Sequence, residues 1–121
     1  MDIVFLHDLK IKTVIGVYAW ERDIQQTVII DLDMASDIRQ AAIADSIDAA
    51  LDYKAVAKRI INFVEISTFQ LVETLAEKIA AILLKEFDIT WVRVKVNKHG
   101  AITGAGAVGV VIERHRASLQ D

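Results

Sequence analysis

The sequence predicts an α+β domain in which four strands form one antiparallel sheet and two helices pack on one of its faces. Four segments alternate apolar and polar residues, and two segments with apolar residues at helical spacing lie between the second and third of them. The predicted order is strand, strand, helix, helix, strand, strand, and a single sheet covered on one face is its simplest arrangement. We expect one domain over residues 1–121, with a polar tail from about residue 115.

The first two strands are predicted close together near the start of the chain. The segment 3–17 carries apolar residues at odd positions, interrupted by His7, and Gly16 offers a place to bend. These odd-numbered residues are Ile3, Phe5, Leu9 and Ile11. The segment 27–35 alternates regularly, with its even-numbered residues directed to the core. Strands this close in sequence favour an antiparallel pair, with residues 17–25 as a polar loop between them.

Two helices are predicted in the middle of the chain. Apolar residues at helical spacing cover 53–65, and Asp52 is a suitable N-cap for this helix. Ser67 and Thr68 interrupt the pattern and can cap a second helix, which ends near Phe87. The second helix has the stronger apolar stripe, so each helix has a face to bury against the sheet.

The last two strands are predicted over 91–98 and 105–114. In the first of them valines alternate with polar residues, and Lys98 takes the next position on the valine face. Burying an unpaired ammonium group is unfavourable, so such a lysine is usually paired, neutralised or in use. The alternative is that Lys98 extends its charge past the strand end into solvent, and the pattern leaves both interpretations open.

Three glutamates are further candidates for a site. Glu21 lies in a loop with Tyr18 and Trp20, where aromatic side chains beside a carboxylate can line a binding site. The simpler interpretation is that the aromatic residues cover the end of the sheet and Glu21 is solvated. Glu73 and Glu77 are four residues apart, which is typical of a solvated helix face. Glu73 is also close to the helix start, where exposed amides favour a carboxylate.

Composition excludes several classes of protein and site. The chain has no Cys, which rules out disulfides and thiolate metal sites, and its net charge of −3 with no basic block argues against nucleic acid as a partner. No apolar run approaches the ~18 residues of a membrane-spanning helix, and no signal peptide is visible, so we expect a cytoplasmic protein. The mean hydropathy of +0.36 is high for this size and favours a subunit interface.

The sequence predicts neither a metal nor a nucleotide cofactor. The three histidines, His7, His99 and His115, form no His-x-x-x-His pair, and no glycine-rich phosphate-binding loop is present. The remaining candidates for a site are Lys98, a few glutamates and the tyrosines. This set suits proton transfer on a small neutral substrate.

Four segments together resemble the motifs of the dihydroneopterin aldolases of folate biosynthesis. They are Gly16–Glu21 (GVYAWE), Leu51–Tyr53 (LDY), Leu71–Glu77 (LVETLAE) and Lys98–Ala101 (KHGA). The resemblance runs from residue 1 to about residue 114, and the four motifs in this order are specific. His99 departs from the pattern because the family usually has Pro there, so the turn should be less rigid and Lys98 less firmly aimed.

The resemblance implies a fold and an assembly. Family members have the tunnelling fold, in which the sheets of neighbouring subunits join edge to edge around a pore. Two tetrameric rings stack into a homo-octamer, and the active sites lie between adjacent subunits. The unpaired sheet edges and the high hydropathy of this chain agree with an assembly, although they do not by themselves indicate an octamer.

The resemblance also implies a reaction and the residues that carry it. Dihydroneopterin is cleaved to hydroxymethyl-dihydropterin and glycolaldehyde in a retro-aldol step without a metal. By this resemblance Lys98 is the general acid/base acting through a water, and Tyr53 of the neighbouring subunit assists it. Glu73 receives the N–H groups of the pterin together with the backbone of Val72, and Glu21 holds the hydroxyls of the substrate side chain.

Three alternatives remain. A related enzyme epimerises dihydroneopterin or its triphosphate at the side chain, and an aldolase can epimerise as well by recombining the fragments. A triphosphate would favour a cluster of Arg and Lys, and none is evident around Glu21 or Lys98. The presence of Lys98, Tyr53, Glu73 and Glu21 together argues against a non-catalytic pterin-binding ring protein. Tunnelling-fold enzymes that use zinc have a histidine cluster, which this sequence lacks.

Overall fold

A computed structural model describes residues 1–100 and 102–116 of the chain. The elements in chain order are β1 (Ile3–Thr13), α1 (Ala19–Arg22), β2 (Gln26–Ala35), α2 (Arg39–Ala44), a 3-10 turn (Ile47–Ala49), α3 (Tyr53–Ile66), α4 (Val72–Glu86), β3 (Trp91–Lys98) and β4 (Gly109–His115). The strands form one antiparallel sheet in the order β1-β2-β3-β4. The predicted fold class and order of strands and main helices are confirmed.

The hydrophobic core lies between the sheet and the helices α3 and α4. As the alternation predicted, β2 and β3 supply their even-numbered residues, and each helix supplies one apolar stripe. The fully buried residues of these strands and helices are Val28, Ile30, Leu32, Met34, Val56, Ile60, Val64, Leu75, Ala76, Ile79, Leu83, Val92, Val94 and Val96. None of the helices in the described part of the chain has the length and apolarity that crossing a membrane requires.

The alternation predicted for β1 is wrong over its first half because the strand contains a β-bulge. The pairing of β1 with β2 shifts register between Leu6 and Leu9, and Asp8 in the bulge has a φ of +62°. Before the bulge the even-numbered residues face the helices, so Ile3 and Phe5 are 37% and 63% exposed. Such a bulge reverses which face each following side chain takes.

The boundaries of α3 and α4 agree with the sequence pattern except at the start of α4, whereas α1 lies within the segment 17–25 that was predicted as a loop. Asp52 caps α3 as predicted, because its Oδ1 accepts hydrogen bonds of 3.1 Å from the backbone N–H groups of Lys54 and Ala55. Ser67 does not cap the second helix. It follows the last turn of α3, its Oγ donates to Val64 O over 2.8 Å, and α4 begins only at Val72.

β4 begins four residues later than predicted, at Gly109, and runs to His115. Arg116, which the sequence assigned to a polar tail, donates hydrogen bonds to Phe87 O and Ile89 O over 2.8 and 2.7 Å. Residues 117–121 of that tail, and Ala101 of the KHGA motif, lie outside the described residues.

The sheet has two ends that matter for the site. At one end, here called the Lys98 end, Lys98 lies opposite Val28 in the ladder, and Thr13 and Gln26 close the β1–β2 pair. At the other, the Trp91 end, β3 begins at Trp91 and β2 finishes at Ala35. The two ends are separated by the length of the strands.

Candidate active site

Lys98 and Glu21 form an ion pair at the Lys98 end of the sheet. Nζ of Lys98 donates a hydrogen bond to Oε2 of Glu21, and the two side chains are 17% and 5% exposed. Lys98 continues the buried face of Val92, Val94 and Val96, as the sequence predicted. Of the interpretations left open for this lysine, the paired one is confirmed, because its charge is directed to a buried carboxylate rather than to solvent.

The loop that carries Glu21 has the opposite arrangement to the one expected. A single helical turn, α1, buries Glu21, while Tyr18 and Trp20 are 65% and 60% exposed. The simpler interpretation, in which the aromatic residues cover the sheet and Glu21 is solvated, is therefore wrong. A carboxylate is buried in a protein only when it is well paired, so this turn is built around Glu21.

Three donors stabilise the charge of Glu21. Besides Lys98, the side-chain amide of Gln26 donates to Oε2 over 3.0 Å and the backbone N–H of Tyr18 donates to Oε1 over 3.3 Å. Hydrogen bonds from Lys98, Gln26 and Tyr18 lower the pKa of the Glu21 carboxyl from 4.5 to about 2, although burial acts in the opposite direction. Glu21 is therefore an ionised acceptor at neutral pH.

Gln26 is a residue of the site that the sequence interpretation missed. It is the first residue of β2, and its Nε2 also donates to Ile15 O over 2.8 Å, so the amide is held between the backbone and Glu21. Its even number places it on the same face as Val28 and Ile30. A polar residue that continues an apolar face is the same signal that singled out Lys98, and it would have identified Gln26 as well.

Gly16 is required by the packing of Glu21. Its φ of +129° is in a region that favours glycine, and a Cβ built on it would lie 2.2 Å from Cδ of Glu21. The carboxylate therefore lies directly over the backbone of Gly16. This contact explains why the GVYAWE segment begins with glycine.

The start of α4 lies at the same end of the molecule as the Lys98–Glu21 pair. The backbone N–H of Gly16 donates to Phe69 O over 3.4 Å, and Phe69 is only three residues before Val72, the first residue of α4. Val72 is half-buried and Glu73 is exposed. Glu73 makes no hydrogen bond or ion pair within the described part of the chain, whereas Glu77 binds Arg114 of β4.

Tyr53 lies far from the other candidates. It begins α3, whose last turn is held at the Lys98 end because Thr13 Oγ1 donates to Ser67 O over 3.0 Å and shares a hydrogen bond of 3.2 Å with Ser67 Oγ. The 14 residues of α3 span roughly 20 Å, which places Tyr53 near the Trp91 end. There its neighbour Asp52 lines an open cavity of about 980 Å³ with Ala35 and Thr90. The exposed fraction of Tyr53 is 51%.

The chemistry of these residues is that of proton transfer and hydrogen bonding. Across residues 1–100 and 102–116, no group of three His, Asp or Glu side chains is arranged to hold a metal ion. The Lys98–Glu21 pair offers a transferable proton beside a fixed negative charge. The exposed carboxylate of Glu73 at the start of α4 offers two oxygens to a ligand with two N–H donors.

A model of the dihydroneopterin aldolase family matches residues 4–113. The chain belongs to the dihydroneopterin aldolase family. Dihydroneopterin aldolase of Escherichia coli K12 is 46% identical over 114 residues, which cover 94% of this chain and 93% of that protein. The resemblance drawn from the four motifs is thereby confirmed.

Solved structures of the dihydroneopterin aldolase family share the fold over nearly the whole chain. The E. coli enzyme in complex with neopterin has a TM-score of 0.92 at 46% identity, covering 94% of this chain and 99% of that one. FolB of Vibrio cholerae has a TM-score of 0.94 at 42% identity, covering 96% and 98%. A dihydroneopterin triphosphate 2'-epimerase of Pseudomonas aeruginosa is a more distant relative, with 29% identity over 116 residues.

Proposed function

We propose that this protein is a 7,8-dihydroneopterin aldolase, which releases 6-hydroxymethyl-7,8-dihydropterin and glycolaldehyde in folate biosynthesis. The observation that carries the proposal is the buried Lys98–Glu21 pair, held at the end of the sheet in a chain of this family. The likeness to the E. coli enzyme that was solved with neopterin supports the substrate class. We further propose that the enzyme acts in the cytoplasm.

The cleavage breaks one carbon–carbon bond in the substrate side chain. The hydroxyl on the departing carbon loses its proton and becomes the aldehyde of glycolaldehyde, while the electron pair of the bond moves into the C=N group of the dihydropterin ring. The carbon left on the ring then takes up a proton. Because the ring itself accepts the electrons, the protein has to orient the substrate and move protons.

Lys98 and Glu21 have different roles at the reacting end of the substrate. Lys98 moves protons through a water, as the general acid/base. Glu21 accepts hydrogen bonds from the hydroxyls of the substrate side chain, since its low pKa keeps it ionised. The backbone of Lys98 is held on both sides, because Lys98 lies opposite Val28 in the ladder and its N–H donates to Val108 O over 2.8 Å. This pairing supports a fixed orientation of the Lys98 side chain although His99 replaces the usual Pro.

Val72 and Glu73 hold the other end of the substrate. The Glu73 carboxylate receives the amino group and a ring N–H of the pterin, and the backbone of Val72 completes the contact. The exposure of Glu73 and its lack of a partner in the described part of the chain support this role. Glu77 on the same helix is already engaged by Arg114.

Tyr53 acts from a neighbouring subunit, and the enzyme is a homo-octamer with active sites between adjacent subunits. Within one chain, α3 spans roughly 20 Å between Tyr53 and the Lys98 end of the sheet. This separation supports an active site shared between two subunits. Both edge strands, β1 and β4, leave unpaired backbone groups that a neighbouring sheet can bind. Tyr53 beside the open cavity at the Trp91 end would then complete the site of the next subunit.

The reaction is tested by product analysis with dihydroneopterin, with and without a metal chelator. We expect release of glycolaldehyde that the chelator does not change. Absence of glycolaldehyde would overturn the proposed activity. Loss of release in the chelator alone would overturn the metal-free mechanism and leave the activity standing.

The shared site is tested by mixing two variants, Lys98→Ala and Tyr53→Phe, that are each slow as pure oligomers. If Lys98 and Tyr53 come from different subunits, about a quarter of the sites in a random equal mixture contain both native residues, so activity returns. If both residues act within one chain, no site in the mixture is complete and activity stays low. Recovery is measured after co-expression and compared with the two pure variants.

Side-chain epimerisation is a second candidate activity of the same site. A relative with 29% identity is named as an epimerase of dihydroneopterin triphosphate, and recombination of the fragments after cleavage would invert the side-chain centre. The guanidinium of Arg22, near Glu21, is occupied by backbone carbonyls and is not free to bind a triphosphate. Assays with dihydroneopterin and with its triphosphate separate the two activities. Binding of dihydroneopterin without turnover would indicate a non-catalytic pterin-binding protein.

A further inference from the structure

We propose that Arg22 is a positioning residue that sets the distance between the Lys98–Glu21 pair and the start of α4. Its guanidinium donates three hydrogen bonds to backbone carbonyls. Nη1 contacts Gly16 O over 3.0 Å and Phe69 O over 3.2 Å, and Nη2 contacts Thr68 O. The side chain thus joins its own loop to the segment that contains Thr68 and Phe69, and Phe69 is 47 residues from Arg22 in sequence.

Each of the two segments carries one half of the proposed substrate site. Arg22 directly follows Glu21 in α1, and the backbone of Gly16 packs against the Glu21 carboxylate. Thr68 and Phe69 belong to the connection that leads into Val72 and Glu73. The inference rests on the proposed function, in which one half moves protons and the other holds the pterin ring.

The planar guanidinium suits this task because its donors have a fixed geometry. It can contact carbonyls of two segments at once, which a single ammonium group cannot do in the same directions. Proton transfer is sensitive to such spacing, since a displacement of about 1 Å slows a reaction by roughly 100-fold. Arg22 therefore affects the cleavage rate by setting the positions of Lys98, Glu21 and Glu73, without contacting the substrate.

Two further hydrogen bonds hold the same connection independently of Arg22. Thr13 Oγ1 donates to Ser67 O over 3.0 Å, so the same connection stays attached to the end of β1. Gly16 N also reaches Phe69 O, over 3.4 Å. We therefore expect a loss of alignment in Arg22 variants, with the domain still folded.

The test compares single-turnover cleavage of dihydroneopterin with equilibrium binding of neopterin in Arg22→Ala and Arg22→Lys. We expect cleavage to slow about 10- to 100-fold in Arg22→Ala, with a much smaller change in neopterin affinity. Arg22→Lys keeps the charge and should also be slow, since a single ammonium nitrogen cannot occupy the positions of both Nη1 and Nη2. Arg116→Ala is the matched control. It also removes a guanidinium that binds backbone carbonyls, but near Phe87 and Ile89, and should leave the cleavage rate within about twofold.

Combination with Lys98→Ala separates positioning from a general loss of structure. If Arg22 acts by aligning Lys98, then Arg22→Ala has little further effect in the Lys98→Ala background. An equal loss in both backgrounds, or native rates in Arg22→Ala, would overturn the inference while the wild-type protein still cleaves. A wild-type protein that does not cleave dihydroneopterin would overturn the proposed function and this inference with it.

Discussion

Lys98 and Glu21 lie 77 residues apart in sequence and form a hydrogen-bonded ion pair in which the glutamate side chain is 5% exposed. Glu21 reaches this position from a single helical turn, and Lys98 reaches it as the last residue of β3. A buried carboxylate with three donors is strongly held in its ionised form. The stability of the domain and the proposed chemistry therefore depend on the same pair.

The first prediction concerns the stability of the domain at acid pH. The folded-state pKa of Glu21, about 2, lies below its ordinary value of 4.5, so the group stabilises the fold fully above about pH 4.5. This contribution is lost as the pH falls from 4.5 towards 2, and it amounts to about 3 kcal/mol. We expect the wild-type advantage over Glu21→Gln in free energy of unfolding to be constant near neutral pH and to shrink in that window.

Urea denaturation at a series of pH values measures this difference. Asp37, whose pKa is also lowered to about 2 by Arg39, titrates in both proteins, so its contribution cancels in the comparison. A wild-type advantage that stays constant down to the lowest pH would show that Glu21 is not ionised and paired in the folded protein.

The second prediction is that Gly16→Ala both destabilises the protein and slows cleavage. A Cβ at 2.2 Å from Cδ of Glu21 must displace the carboxylate, and the φ of +129° adds backbone strain of about 1–3 kcal/mol. Gly104→Ala is the control, because Gly104 also has a positive φ, of +90°, but a Cβ there meets no described atom within 4 Å. We expect it to lose stability and keep its single-turnover rate. Equal rates for both variants would contradict the role of Gly16 under Glu21.

The third prediction is that Glu73→Gln weakens pterin binding more than it slows cleavage. An amide accepts only one of the two donated hydrogen bonds well and loses the charge, which costs about 1.5–3 kcal/mol, or about 10- to 100-fold in the Kd of neopterin. Glu77→Gln, one turn further along α4 and already paired with Arg114, should bind neopterin normally. An unchanged Kd for Glu73→Gln would identify Glu73 as an ordinary solvated helix residue.

The parts of the fold that were predicted are those whose determinants are local. The alternation in β2 and β3 fixes which side chains face the helices, and Asp52 caps α3 with its own carboxylate. The bulge in β1 was missed because its support is not local. Asp31 Oδ1 of the neighbouring strand accepts the backbone N–H of Asp8 over 2.7 Å, and this partner cannot be read from residues 3–13 alone.

In the candidate site too, the residues with local determinants were predicted and those with distant partners were not. Lys98 was identified from the sequence because it continues an apolar face at the end of a strand. The burial of Glu21 could not be predicted from a polar loop, since it depends on Lys98 and Gln26 from two different strands. For Glu21, Val72, Glu73 and Tyr53, the roles came from the family motifs rather than from the pattern of residues.

The most direct test of the account is single-turnover cleavage of dihydroneopterin by Lys98→Ala, measured beside neopterin binding and sedimentation. Within the described residues, removing the ammonium leaves Glu21 buried with only Gln26 and the Tyr18 N–H as donors, so we expect the fold to be retained with a loss of about 1–3 kcal/mol in stability. Cleavage should slow by about 10²–10⁴-fold, the usual contribution of a general acid/base, with a much smaller change in affinity. A folded Lys98→Ala variant that cleaves at close to the wild-type rate would contradict the proposed mechanism.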